Sequence, residues 1–202
     1  MHRRIYLASQ SPRRLELLRQ IGIDAMVLPL RHQSGRADVD ESPLPNEKPA
    51  DYVMRVARLK AEAGVLAMTG RRLPVMPILA ADTTVALDGR LLGKPASPEQ
   101  AAEWLRSYSG KTHRVYSGVA VAWEGQVHTA LSSSKVRFRP LNEAEIAAYV
   151  ASREPMDKAG GYGIQGHAAL FIEHIEGSYS GIMGLPLFET GALLRQTGMI
   201  LL

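Results

Sequence analysis

Cysteine is absent from the 202 residues. That excludes disulfides, thiolate metal sites and a cysteine nucleophile, and it suits a reducing compartment, so a cytoplasmic location is the expectation. Aromatic residues are few, with 3 Phe, 2 Trp and 7 Tyr. They are scattered rather than interleaved with basic residues, which disfavours an RNA-stacking platform. No apolar run reaches the roughly 18 residues of a membrane span. The apolar stretch at residues 5–8, behind His2, Arg3 and Arg4, is too short for a signal peptide's hydrophobic region. Neither sign of charge dominates: 24 Lys plus Arg against 20 Asp plus Glu leave +4. With no block of five or more basic residues, that excess names no partner.

What is present is an ordinary globular composition, 46% hydrophobic and 22% charged. It supports one domain spanning residues 1–202, or two tightly joined lobes. Residues 5–8 read as a buried strand running into Ser9-Gln10-Ser11-Pro12-Arg13-Arg14. A helix follows, with Ser11 as N-cap, Pro12 at its first position and Gly22 closing it. Residues 31–51, with Pro43, Pro45 and Pro49, read as an irregular exposed loop. The apolar spacing of residues 50–68 predicts an amphipathic helix with Lys60 on its more polar side. Residues 75–81 predict a central strand reaching Asp82 and continuing into a hairpin at Asp88-Gly89, whose return brings Gly93-Lys94-Pro95 back toward Asp82. A helix from Ser97, a long antiparallel pair about Glu124-Gly125 and a capping-box helix at Asn142 come next. A strand over residues 168–175 and a helix over 186–196 complete a mixed α/β class.

Three constellations carry chemistry. The Ser9-to-Arg14 turn places two hydroxyls and two guanidiniums at a helix N-terminus, an anion cradle in which each charge-assisted contact contributes roughly 1.5–3 kcal/mol. A capped helix with two solvated arginines reads equally well. Asp82, with Thr83 beside it, is a carboxylate at the end of an apolar strand, where charge needs a cation, a metal or donors. The bland alternative is a cap on the following turn. Gly161 to Gly166 spells GxGxxG, but a helix precedes it, and no strand leads in and no helix leads out, so a dinucleotide fold is rejected. The glycines instead allow a ligand close approach, with Gln165 offering a donor and an acceptor to a base edge. His2, His32, His113, His128, His167 and His174 show no metal-binding spacing and read as surface or packing residues. Ser132-Ser133-Ser134 lacks a nucleophile elbow. Carboxylate and oxygen donors favour Mg²⁺ or Mn²⁺.

Six ordered segments resemble the Maf-like nucleoside triphosphate pyrophosphatase family almost end to end. They are Ala8-Ser9-Gln10-Ser11-Pro12-Arg13-Arg14, Ala81-Asp82-Thr83-Thr84-Val85, Gly93-Lys94-Pro95, Asp157-Lys158-Ala159-Gly160, Tyr162-Gly163-Ile164-Gln165-Gly166 and Gly184-Leu185-Pro186-Leu187. The resemblance implies a strongly twisted mixed sheet with flanking helices and two lobes around a cleft, like the inosine-triphosphatase fold. It implies metal-dependent hydrolysis of a nucleoside triphosphate to monophosphate and pyrophosphate. Asp82 would be the proton acceptor, Ser9, Arg13, Arg14, Lys60 and Lys94 would hold the substrate, and Glu41 with Asp82 would take Mg²⁺ or Mn²⁺. Thr83 and Gln165, with Arg13, match the branch that prefers dTTP and UTP, and a homodimer is the family expectation. The competing class is a nucleotide- or RNA-binding regulatory module that does not hydrolyse.

Overall fold

The computed structural model describes residues 4–31 and 37–201. His2, His32 and part of the 31–51 loop lie outside the described residues. The elements run β1 (Arg4–Leu7), α1 (Pro12–Gln20), β2 (Asp24–Val27), α2 (Pro49–Gly70), β3 (Ile78–Leu87), β4 (Arg90–Leu92), α3 (Pro98–Tyr108), β5 (Thr112–Trp123) and β6 (Gln126–Phe138). They continue as α4 (Glu143–Ala151), three short 3-10 turns, β7 (Ile172–Glu176), α5 (Tyr179–Met183) and α6 (Leu187–Gln196). One mixed sheet has the order β2-β1-β3-β5-β6-β7, with β4 pairing separately on β3. The mixed α/β class read from the sequence is the one found.

β3 is the spine, and its two faces are packed by different helices because strand side chains alternate. Ile78 and Ala80 pack with Ala57 and Ala61 of α2, together with Ala120 and Ala122 of β5. Leu79 and Ala81 face the other way, into a core with Leu17 and Leu18 of α1 and Leu193 and Leu194 of α6. Farther along, Val85 and Leu87 join Tyr108, Phe138 and Tyr162 in a third cluster rich in edge-to-face aromatic contacts. The helix between β6 and the 3-10 turns has the capping box expected of it: Asn142 Oδ1 accepts from Glu145 N, and Asn142 N donates to Glu145 Oε2.

Several expectations need correction. The strand expected from residue 75 begins at Ile78, and Val75 is exposed. The strand expected at residues 168–175 is a 3-10 turn over His167–Leu170 followed by β7; apolar residues alone do not separate those two. Ser11 has extended N-cap geometry, but its side chain caps nothing; its N–H donates to Ser9 Oγ at 3.2 Å. Lys60 is on the face of α2 that meets the sheet, not the polar one, and is buried. Gly22 does close α1, with a positive φ of 72°.

The pairing of β3 positions everything that follows. On one edge it pairs with β5 from Ile78 to Ala86. On the other, parallel β1 reaches only Leu79, and antiparallel β4 starts only at Val85. Between those two partners lies a gap whose centre is Asp82-Thr83. β1 leaves the sheet at one end of the gap as Ser9 to Arg14, and β4 leaves at the other as Gly93-Lys94-Pro95. A sheet opened by diverging connections is where α/β folds place ligands.

Candidate active site

Asp82 is therefore not at the end of its strand, as the sequence suggested, but mid-strand, paired with β5 on one edge and without a neighbouring strand on the other. Its side chain is on the α2 face and is 7% exposed. Lys60 Nζ donates to Asp82 Oδ1 at 2.8 Å and to Glu41 Oε2 at 2.8 Å, so one ammonium joins two carboxylates 19 and 22 positions from it in sequence. Burial pushes the Asp82 carboxyl above its ordinary range; the charges of Lys60 and Arg14 pull it down and Glu41 pushes it further up.

Thr83, the next residue, points to the opposite face and meets α1. Arg14 Nη2 donates to Thr83 Oγ1 at 3.5 Å, Nη1 to Ser9 Oγ at 3.1 Å and Nε to the Gly184 carbonyl at 2.8 Å. Thr83 Oγ1 also shares a hydrogen bond of 2.8 Å with Ser117 Oγ, and Ser117 Oγ donates to the Gly181 carbonyl at 2.7 Å. Desolvation lowers the Arg14 pKa, and the nearby charges of Asp82 and Glu41 raise it. The two halves of the site thus share one electrostatic environment.

Glu41 is held by the start of α2. Tyr52 Oη donates to the Glu41 carbonyl at 3.0 Å, and Arg55 Nη2 donates to the Ser42 carbonyl at 3.0 Å while pairing with Glu47. The Tyr52 hydroxyl pKa is pushed up to about 12, by burial first and then by the charges of Asp82 and Glu41. It therefore stays a donor at physiological pH.

Of the sequence candidates, Ser9, Arg14 and Thr83 form one hydrogen-bonded group and Glu41, Lys60 and Asp82 a second, the two coupled through the charges of Arg14, Asp82 and Glu41. Arg13 lies within electrostatic reach of Arg14 and of Asp157. Burial raises the Asp157 carboxyl pKa, but its hydrogen bond to Lys158 and the charges of Lys158 and Arg13 outweigh that and hold it low. Lys94 and Gln165 are exposed and make no side-chain hydrogen bond among the described residues. Each sits on a segment tethered to the gap: Gly160 N donates to the Gly93 carbonyl at 2.8 Å, joining the Asp157–Gly166 loop to the exit of β4. Sequence reasoning missed Ser117, Gly118, Gly184, Tyr52 and Arg55. Of these only Gly184, in Gly184-Leu185-Pro186-Leu187, stood in a recognised motif.

Among the described residues no group of three or more His, Asp or Glu is placed to hold a metal. The oxygen donors at hand are the Glu41 and Asp82 carboxylates, which meet at the Lys60 ammonium; their chemistry suits a hard cation that completes its shell with phosphate oxygens and water.

This fold and this site define a class. Residues 4–197 match the family described as Maf-like protein, and the chain belongs to that family. Its relatives include proteins named dTTP/UTP pyrophosphatase. The one from Nitrosomonas europaea is 56% identical over 196 residues, covering 96% of this chain and 95% of its own. That from Dechloromonas aromatica is 54% identical over 197 residues, 96% and 98% of the two chains. That from Ralstonia nicotianae is 54% identical over 201 residues, 99% and 97% of the two chains. A solved structure of the Staphylococcus aureus Ham1 protein matches with a TM-score of 0.45 and 18% identity over 67% of this chain and 71% of that one, too slight a likeness to argue from. Among the described residues no helix is long and apolar enough to cross a membrane.

Proposed function

We propose that this chain hydrolyses dTTP and UTP to the nucleoside monophosphate and pyrophosphate. One observation carries the reading: a buried carboxylate, Asp82, stands in the gap of the sheet, tied to Lys60 and within the field of Arg14. A protein that only binds a polyanion gains nothing from an acid facing phosphates, whereas a hydrolase needs a base for water. The alternative of a non-hydrolytic binding module is therefore the weaker one.

In this reading Arg13, Arg14, Lys60 and Lys94 neutralise the triphosphate, with the α1 N-terminus and Ser9 adding donors. Asp82 orients a water and takes its proton as the α phosphorus is attacked and pyrophosphate leaves. The elevated Asp82 pKa makes it a better proton acceptor than an exposed aspartate. Glu41 and Asp82 would hold Mg²⁺ or Mn²⁺, which, when bound, supplies further neutralisation of charge on the phosphates. Thr83 and Gln165 select the pyrimidine. The chain works in the cytoplasm, as one domain and as a homodimer.

The test is pyrophosphate release from a panel of ribo- and deoxyribonucleoside triphosphates with Mg²⁺ or Mn²⁺. dTTP and UTP should lead the panel. Equal rates on every nucleotide, or none on any, would overturn the reading.

A further inference from the structure

Glu154 is a largely buried carboxylate, its side chain 14% exposed, that the mechanism above does not use. Its carboxylate oxygens bond His167, which directly follows the turn that presents Gln165, and Tyr149, whose hydroxyl meets that turn's first residue. Oε2 accepts from His167 N at 3.0 Å and hydrogen-bonds His167 Nδ1 at 2.8 Å. Oε1 accepts from the Tyr149 hydroxyl at 3.0 Å, and that hydroxyl oxygen accepts from Gly163 N at 3.4 Å. One carboxylate thus holds the turn at both ends, at Gly163 through Tyr149 and at His167 directly. Across the turn, Gly166 N donates to the Gly163 carbonyl at 3.0 Å. The glycines are explained by the same group: a Cβ on Gly166 would run into the Glu154 carboxylate, and one on Gly163 would lie 2.7 Å from the Lys158 stem. That stem is itself fixed by Lys158 Nζ donating to the Glu154 carbonyl at 2.8 Å.

We infer that Glu154 is a positioning residue for base selection, locking the Gly163–Gly166 turn so that the exposed Gln165 side chain is presented in one place. The inference rests on the proposed role of Gln165 and extends it to a residue that touches no substrate. A side chain that reads a base edge must be held to within a fraction of an ångström, since misplacement erodes selectivity before it erodes chemistry.

The experiment compares kcat and KM for dTTP and dCTP in the wild-type chain, Glu154→Gln, Tyr149→Phe, Gln165→Ala and the Glu154→Gln/Gln165→Ala double variant. Amide hydrogen exchange at residues 163–167 is read alongside. Glu154→Gln should raise the KM for dTTP by roughly tenfold, more than it lowers kcat, and shrink the dTTP preference accordingly. Tyr149→Phe should do the same more weakly, exchange at 163–167 should quicken, and the double variant should discriminate no worse than Gln165→Ala. A wild-type preference for dTTP that survives Glu154→Gln overturns this inference alone, as do fully additive effects of Glu154→Gln and Gln165→Ala. A wild-type chain with no preference to lose overturns the proposed function together with it. If Glu154→Gln does not fold, Tyr149→Phe decides, and unchanged selectivity there counts against the inference.

Discussion

Asp82 lies directly opposite Gly118 in the β3–β5 ladder, and the missing side chain at Gly118 lets α2 settle onto the sheet where its lysine can reach the acid. A Cβ at Gly118 would collide with the Val53 carbonyl oxygen and stand 2.7 Å from its carbon. Lys60 follows Val53 on the same face, about two helical turns on. Gly118→Ala must therefore push α2 outward or bend it. It should cost about 1–3 kcal/mol in urea unfolding and lower kcat by weakening the Lys60–Asp82 pair. A variant as stable and as active as the parent would show that α2 can lift without loss.

Asp82→Asn keeps the shape and removes the carboxylate proposed as the base. Turnover should fall by roughly a thousandfold, while circular dichroism and the melting temperature show a folded chain. Near-normal pyrophosphate release would remove Asp82 from the chemistry.

The acid limb of the pH–rate profile follows from the Asp82 environment. Burial raises its carboxyl above the ordinary 3.8, and only the ionised form can accept a proton. kcat/KM should accordingly fall with acid at a higher pH than an exposed aspartate would give. Lys60 is the largest influence pulling that pKa down, so Lys60→Gln should move the limb further up. For stability the sign is opposite. The folded chain binds this proton more tightly than the unfolded one, so the contribution is full below the unfolded pKa and is lost as pH rises through the folded one. A limb that stays put or moves down in Lys60→Gln would contradict the pairing.

Thr190 in α6 is fully buried, and its hydroxyl has no hydrogen-bond partner among the described residues. Thr190→Val replaces a desolvated hydroxyl with a methyl of similar shape. Stability should rise by about 1 kcal/mol in denaturant unfolding, with no change in kinetics. A loss of stability would point to a partner for that hydroxyl.

What the sequence made legible was chemistry that interrupts a pattern. Asp82 and Thr83 stood out because they break an apolar run, and Arg13 and Arg14 because they follow Ser-Pro at a helix start. What stayed hidden depended on partners distant along the chain. The burial of Lys60 follows from acids 19 and 22 positions away, so helical periodicity alone put it on the wrong side. Ser117 and Gly118 were lost inside a strand because small residues fit any strand. Their meaning comes only from lying opposite Thr83 and Asp82. β2 and α5 are four and five residues long, too short for either period to register.

The interrupted pairing along β3 divides the labour between two kinds of backbone. Asp82 and Thr83 ride on a strand paired with β5 from Ile78 to Ala86, while Ser9, Arg13, Arg14 and Lys94 hang from segments departing at the two broken ends. Lengthening or rewriting those segments costs no rung of the ladder. Segments of new length or sequence can thus be presented to the gap while the Asp82 carboxylate stays where it is.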